Sequence, residues 1–485
     1  MKLDDTNLFR TQAYVDGQWI DADNGETHPV TNPANGELIA EIARCGTAET
    51  RRAIEAAERA LGPWRALPAK ERANIIRRMF ELMMLHQEDL AQIMTAEQGK
   101  PIVEARGEVA YGANFLEWFA EEAKRVYGDT IPAPGPDKRI VTIKQPIGVV
   151  ACITPWNFPN AMLTRKIAPA LATGCTVVCK PANATPLSAF AIAELAERAG
   201  LPAGVMNVVA GRTGEIGAEL TGNPIIRKVT FTGSTQVGKQ LMKECADTVK
   251  RTSMELGGNA PFIVFDDADL DAAVSGAVAS KYRNAGQTCV CSNRMLVHAS
   301  VYDEFAERLR AAVAQFTIGD GAKEGTTIGP LINAQAANSV LAMVDDAIAN
   351  GAHALIGGKR GANGDAFVEP TVLTNVDAQM RVFREEIFGP VAPLIKFETE
   401  EEAIRLANDT EFGLASYFYT RDIGRIWRVA EALEYGIVGI NEGLVSNEMA
   451  PFGGVKESGG GREGSKYGMD DYLEIKYMCM GGIDR

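Results

Sequence analysis

Ile147-Gly-Val-Val-Ala-Cys-Ile153 runs into Thr154-Pro-Trp-Asn-Phe-Pro159, then Ala161 to Thr173 closed by Gly174, then Thr176-Val-Val-Cys-Lys180. The first and last pieces are short apolar runs rich in β-branched residues, as expected of strands buried on both faces. The piece between them has helical spacing and a glycine stop. Strand, helix and strand at this spacing specify a right-handed crossover and a parallel sheet with helices on both faces. The pattern continues downstream. Pro186 to Ala199 reads as a helix closed by Gly200, and Val205 to Ala210 and Lys228 to Thr232 as further strands.

Outward from this segment, the chain divides. Upstream, Thr47 to about Leu61 reads as an amphipathic helix. Ala69 to about Gln98 reads as one longer helix, with Ile75, Ile76, Met79, Phe80 and Met83 at helical spacing and Gly99-Lys-Pro101 as its stop. Between Arg125 and Gln145, prolines at 132, 134 and 136 precede an alternating Arg139-Ile-Val-Thr-Ile-Lys144, which predicts an edge hairpin. A second α/β region begins near Ala260, with strands at Pro261–Phe265, Met295–His298 and Val391–Phe397, and a helix over Leu270–Arg283. The tail Tyr472 to Met480 alternates again. Should hairpin and tail pair, they would leave edges that another subunit could cover. The reading is an α/β chain of two doubly wound parallel-sheet domains with a small oligomerisation hairpin. Residues 1–124 and 147–256 form one domain and 257–455 the other; 125–146 and 456–485 serve as bridging segments.

Composition narrows the function. With 46% apolar and 23% charged residues the 485-residue chain is ordinary globular material. Its net charge of −14 disfavours nucleic acid as a partner. No apolar run approaches the roughly 20 residues that span a bilayer, and the N-terminus has no signal-peptide pattern. Eight cysteines and four histidines without ligand spacing predict neither a disulfide scaffold nor a metal site. The expectation is a cytoplasmic protein with no metal, nucleic-acid or membrane partner.

Ligands of doubly wound sheets sit beyond the carboxyl ends of the strands. Those ends carry Trp156 and Asn157, then Lys180 and Asn183, then Thr232-Gly233-Ser234 leading into a helix. Taken singly, each is a turn or a cap. Together on one edge they suggest a nucleotide cofactor, with backbone N–H groups after Gly233 holding phosphate and Lys180 reaching a ribose. Gly459-Gly-Gly461-Arg-Glu-Gly464 matches G-x-G-x-x-G literally but follows a loop rather than a strand, so it reads as loop backbone. Gly233 to Lys239 imitates a P-loop but is followed by Gln240, which lacks the hydroxyl that would bind magnesium. Cys289, in Gly286-Gln-Thr-Cys-Val-Cys291, lies between a helix and a strand, where a thiol is partly exposed. Glu255, in Glu255-Leu-Gly-Gly-Asn259, ends an apolar run, and desolvation there would raise its pKa into the range of a general base.

Pro155-Trp-Asn-Phe-Pro159, Phe231-Thr-Gly-Ser-Thr235, Glu255-Leu-Gly-Gly258, Gly286-Gln-Thr-Cys289, Glu386-Ile-Phe-Gly-Pro390 and Pro451-Phe-Gly-Gly-Val-Lys456 occur in this order. In this the chain resembles the NAD(P)-dependent aldehyde dehydrogenases, from Tyr14-Val-Asp-Gly-Gln-Trp19 to Tyr472-Leu-Glu-Ile-Lys-Tyr477. Gly257 to Asp269, Cys289-Val-Cys291 and Gly464-Ser-Lys-Tyr-Gly468 resemble the branch that acts on succinate semialdehyde. The resemblance implies that Cys289 attacks the aldehyde. Asn157 and the Cys289 N–H would hold the oxyanion, hydride would pass to the nicotinamide, and Glu255 would activate water to hydrolyse the thioester. It assigns Trp156, Lys180, Asn183, Gly233, Ser234, Leu256, Glu386 and Phe388 to the cofactor, and places Lys166 and Glu463 near a proton path. Asn183 stands where relatives that prefer NAD carry glutamate. A neutral residue does not repel a 2′-phosphate, so both NADP and NAD are expected as cofactors.

Arg165 and Arg283 match the positions that hold a distal carboxylate in that branch, and Ser446 completes the pocket. A guanidinium pair suits a planar carboxylate, yet glutarate semialdehyde or a sulfonated aldehyde such as sulfolactaldehyde would satisfy it too. Relatives with Cys-x-Cys here can be switched off by oxidation, which implies the same for Cys289 and Cys291. Gly460 stands where leucine is common. The resemblance also implies a homodimer or homotetramer. Acyl transfer to coenzyme A is the alternative chemistry, and Glu255, able to activate water, argues against it.

Overall fold

The computed structural model describes residues 1–483. The chain opens with β1 (Ala13–Val15) and β2 (Gln18–Ile20), then the hairpin of β3 (Thr27–Thr31) and β4 (Leu38–Ala43). Helices α1 (Thr47–Ala66), α2 (Ala69–Leu85), α3 (Gln87–Gln98) and α4 (Ile102–Glu122) follow. The single helix expected from Ala69 to Gln98 is therefore two. His86 leaves helical geometry at φ −102° and ψ 23°; both helices pack on α4 and α6, and α2 packs on α5 as well. Asp89, in the first turn of α3, accepts the backbone N–H groups of Asp4 and Asp5 and pins the N-terminus. Helix α4 has no counterpart in the sequence reading. Gly107, Gly112 and the buried Glu108 interrupt its apolar stripe, which hides the period of 3.6.

After α4 come β5 (Thr130–Ile131) and β6 (Arg139–Pro146), and the crossover unit then begins. It consists of β7 (Val149–Ile153), α5 (Ala161–Thr173), β8 (Thr176–Lys180), α6 (Leu187–Arg198), β9 (Met206–Val208), α7 (Thr213–Gly222), β10 (Ile226–Thr232), α8 (Thr235–Ala246) and β11 (Arg251–Glu255). The second unit runs β12 (Ala260–Val264), α9 (Leu270–Tyr282), β13 (Ser292–His298), α10 (Tyr302–Val313), α11 (Ala334–Ala349), β14 (His353–Ile356) and β15 (Thr371–Thr374). It continues with α12 (Arg381–Arg384), β16 (Val391–Phe397), α13 (Glu400–Asn408), β17 (Ala415–Tyr419), α14 (Ile423–Ala432) and β18 (Ile437–Ile440). The chain ends with β19 (Gly459–Gly460) and β20 (Leu473–Met480).

The first sheet has the order β19-β11-β10-β7-β8-β9-β1-β2, and the strands from β11 to β9 in that order are parallel. The chain builds β8 and β9 on one side of β7, then jumps to β10 and β11 on the other. The switch point therefore lies between β7 and β10, where a crevice opens at the carboxyl ends. The second sheet is ordered β14-β15-β16-β13-β12-β17-β18, and only β14 is antiparallel. Each sheet has a core of its own, one around Val150, Leu163 and Val177 and another around Phe262, Met295 and Leu394.

The tail and the hairpin do pair, as β20-β6-β5, with Leu473 opposite Pro146 and Met480 opposite Arg139. Side chains of β20 such as Ile475 and Tyr477 are exposed. One element differs from the expected loop: Gly459 and Gly460 pair antiparallel with Glu255 and Met254, adding an edge strand to the first sheet. Met254 O would lie 1.9 Å from a Cβ at Gly459, whereas nothing lies within 4 Å of one at Gly460. A leucine at position 460 would meet no obstacle. No helix among the described residues is long and apolar enough to cross a membrane.

Candidate active site

The two large sheets face a common cleft of about 290 Å³. From the first sheet, the turn after β7 supplies Trp156 and Asn157, the turn after β10 supplies Gly233 and Ser234, and β11 runs into Leu256. Ser234 caps α8, its Oγ accepting the Val237 N–H, and the free amides of that helix end lie at the crevice. From the second sheet come Gly257 before β12, Cys289 before β13, and Glu386 and Phe388 before β16. Trp156 and Phe388 meet edge-on at 5.6 Å across the seam. Phe388 holds φ +52°, a left-handed value that is costly for a bulky side chain.

Close backbone approach explains the glycines here. A Cβ at Gly258 would stand 2.4 Å from Cys289 O, and one at Gly257 would stand 2.8 Å from Glu386 Oε2. Glu386 Oε1 accepts the Gly258 N–H at 3.0 Å, and burial raises its pKa to about 7. The loop that delivers Cys289 is itself bent left-handed, with φ +52° at Asn284, +53° at Ala285 and +76° at Gly286. At Gly286 a side chain would collide with Gly389 O. Cys289 is partly exposed in the cleft, and desolvation pushes its thiol up to about 12, against the opposing pull of Arg165.

Arg165 and Arg283 both line the cleft, as does Ser446. Arg165 is 1% exposed and lies 3.9 Å over the Phe452 ring; its Nε is 2.8 Å from Glu463 Oε2 and its Nη1 3.4 Å from the Tyr111 hydroxyl. Its Nη2 has no partner among the described residues. Arg283 sits 5.4 Å over Phe158 and makes no ion pair among the described residues. Glu463 also accepts from Lys166 Nζ at 2.6 Å, and the two cations hold its carboxyl below the usual value against desolvation.

Glu255 does not line the cleft. It is buried, Oε2 has no partner among the described residues, and desolvation together with the neighbouring Glu463 raises its pKa well above the carboxylate range. Lys180, Asn183 and Cys291 also stand outside the cleft wall. Lys180 Nζ donates to Pro181 O, has no carboxylate partner among the described residues, and is lowered to about 8 by burial. Asn183 spans the Gly211 backbone, Nδ2 donating to its C=O at 2.6 Å and Oδ1 accepting its N–H at 3.1 Å. Cys291 is buried, its thiol directed at the carbonyls of Lys281 and Ser292, and both Cys289 and Cys291 are free thiols.

A supporting network was not evident in the sequence. Lys100, which there was only part of a helix stop, is 2% exposed; it pairs with Glu108 and donates to Asn157 O at 2.8 Å. Glu108 in turn accepts the N–H groups of Asn160 and Ala161, fixing the start of α5, the helix that carries Arg165 and Lys166. Asn284 Nδ2 donates to the same Asn157 O at 2.9 Å, while its own N–H goes to Glu104 and its Oδ1 accepts from Gln98. Asn157 Nδ2 donates to Gln287 O at 3.0 Å, and its amide carries a second hydrogen besides. Glu104 and Glu108 stand one turn apart on α4, and Lys100 lies two residues before the first residue of that helix. That spacing was the available signal.

The aldehyde dehydrogenase family model matches residues 19–478. The chain belongs to the aldehyde dehydrogenase family. It is 64% identical over 483 residues to a glutarate-semialdehyde dehydrogenase of Pseudomonas aeruginosa, covering 100% of both chains. It is 63% identical to the NADP(+) succinate-semialdehyde dehydrogenase of Escherichia coli K12, over 99% of this chain and 100% of that one. The crystal structure of succinate-semialdehyde dehydrogenase from Burkholderia pseudomallei superposes with a TM-score of 0.98 at 61% identity, covering 99% of this chain and 100% of that one.

In this aldehyde dehydrogenase the cleft fits a dinucleotide. Gly233 and Gly257 leave room where side chains would collide with Phe231 and Glu386. The α8 N-terminus at the crevice and, outside the cleft wall, Lys180, a buried cation without a counter-ion among the described residues, are complementary to phosphate.

Proposed function

We propose that this enzyme oxidises a short aldehyde bearing a distal carboxylate, with succinate semialdehyde as the substrate and both NADP and NAD as acceptors. The observation that carries the reading is the position of two arginines, Arg165 and Arg283, in the same cleft as Cys289. Arg165 shares Glu463 but keeps Nη2 unsatisfied, so a substrate carboxylate would complete its bonding. Residues 1–124 and 147–256 would be the dinucleotide-binding unit, and 257–455 the unit bearing the nucleophile.

In this mechanism the Cys289 thiolate adds to the aldehyde carbon. The oxyanion of the hemithioacetal faces the Asn157 amide and the Cys289 N–H. The nicotinamide, when bound, accepts the hydride. A thioester on Cys289 remains, and Glu255 takes a proton from the water that hydrolyses it. Because the Glu255 carboxyl lies beside Glu463 rather than at the cleft wall, its side chain must rotate for that step. Trp156, Lys180, Gly233, Ser234, Leu256, Glu386 and Phe388 would hold the dinucleotide. Asn183, neutral and tied to Gly211, would leave a 2′-phosphate unopposed.

The test is the initial rate with succinate semialdehyde, glutarate semialdehyde and an uncharged aldehyde of similar length. The four-carbon acid should be preferred, and Arg283→Ala should raise its KM roughly 10- to 100-fold, as loss of a charged hydrogen bond does. Equal rates with the uncharged aldehyde would remove the clamp. The glutarate reading is favoured by the Pseudomonas relative's name and would win if the five-carbon acid gave the higher kcat/KM. The reading also keeps Cys291 as the thiol that traps Cys289 on oxidation. Peroxide should abolish activity, a thiol reductant should restore it, and the Cys291→Ala enzyme should fail to recover; full recovery of that variant would refute the pairing.

A further inference from the structure

A second cavity, of about 490 Å³, shares no residue with the cleft. It opens where the end of α1, the start of α2, the turn after α4, the C-terminal end of α5 and the base of β6 meet. Its wall carries Arg65, Arg72, Lys124 and Lys144, with Gln145 and Thr173 between them, and no carboxylate. In a chain with 63 acidic and 49 basic residues, such a convergence of cations runs against the overall charge.

Arg72 is 9% exposed. Its Nη1 donates to the carbonyls of Arg65 and Leu67 and its Nε to Ala172 O at 3.4 Å, so part of the side chain closes the end of α1. Those bonds satisfy hydrogens and leave the charge uncompensated. Nη2 finds no hydrogen-bond partner among the described residues, and burial pulls the guanidinium below its ordinary pKa with no carboxylate to oppose it. Of the rim cations, Lys124 pairs with Glu121 at 3.2 Å and Lys144 with Asp470 at 3.3 Å, both of them carboxylates outside the cavity wall. Arg65 has no ion pair among the described residues.

We propose that this cavity binds a compact phosphoryl anion. One buried arginine with three more-exposed cations around the same space calls for a ligand with more than one negative charge, and guanidinium forks match tetrahedral oxyanions. The wall offers no aromatic face for a base, so the ligand is a free phosphate or a small phosphorylated metabolite rather than a nucleotide.

Calorimetric titration of the full-length enzyme with inorganic phosphate, pyrophosphate and glycerol 3-phosphate tests this, in saturating NADP and with chloride at matched ionic strength as control. Binding should persist with the cofactor present. It should weaken at least tenfold in a Lys124→Gln/Lys144→Gln double variant and in Arg72→Gln, while kcat and KM for the aldehyde stay unchanged in the double variant. If Arg72→Gln does not fold, the double variant alone decides. Tighter binding of glycerol 3-phosphate than of phosphate would assign the site to a phosphorylated metabolite, and the reverse to the free anion. Equal affinity in wild type and double variant, or the same heat from chloride, would overturn the proposal.

Discussion

The first sheet meets the cleft with the carboxyl ends of its strands, the second with its amino ends. Trp156 follows β7, Gly233 follows β10 and Leu256 follows β11, whereas Gly258, Cys289 and Glu386 precede β12, β13 and β16. A carboxyl-end crevice at a switch point is where parallel sheets bind ligands, and helix α8 begins there with its amides free. The amino-end side offers instead a strained backbone, left-handed from Asn284 to Gly286 and again at Phe388, that fixes a thiol and a carboxylate against the opposite wall. One half is built to receive a charged ligand, the other to hold a reacting atom still.

The largest expected effect separates the halves. Cys289→Ser should lower kcat on the order of 10⁴-fold or more, while NADP binding, read by quenching of tryptophan fluorescence, stays within twofold. If cofactor affinity collapses with it, the division of labour is wrong. A pH profile tests the amino-end side next. Burial favours the protonated forms of both Cys289 and Glu255, and the reactive forms are deprotonated. The kcat/KM should therefore climb with pH from 7 to 9, by up to about tenfold per unit where one proton is lost, and a flat profile would show that the thiol ionises without penalty. The smallest effect concerns the ties between the halves. Glu108→Gln keeps an acceptor for the Asn160 and Ala161 N–H groups but leaves Lys100 buried without its counter-charge, at about 3–5 kcal/mol. A kcat reduced several-fold with KM within twofold is expected alongside the lower melting temperature. A drop in melting temperature alone would reduce Lys100 and Glu108 to scaffold.

The same contrast explains how far the sequence could be read. Strands β7, β8 and β16 and helix α5 were evident because continuous apolar runs and a 3.6-residue period follow from burial on two faces. The carboxyl-end rule then pointed to Trp156, Asn157, Lys180 and Gly233 without any outside comparison. It had nothing to say of Cys289 or Glu386, which stand before their strands. Cys289 stood out by residue type and neighbours, and Glu386 only by likeness to known enzymes. Lys100, Glu104, Glu108 and Asn284 stayed hidden because charged residues one turn apart are ordinary on a solvated helix face, and their network only becomes visible once α4 is laid against α5. The break at His86 was equally invisible, since both helices keep the same apolar spacing and pack on the same neighbours, α4 and α6.

Glu463 holds Arg165 and Lys166, and β19 closes the edge of the first sheet beside Glu255. Both come from the last thirty or so of the 485 residues. During synthesis, the thiol at 289 and the arginine at 165 are therefore made long before the carboxylate that sets their surroundings. A chain still attached to the ribosome can hold the reactive sulfur and both arginines while Arg165 and Lys166 lack their carboxylate and the sheet lacks its edge strand, so the finished site must wait for residues 459–463, and a chain cut short before them lacks both.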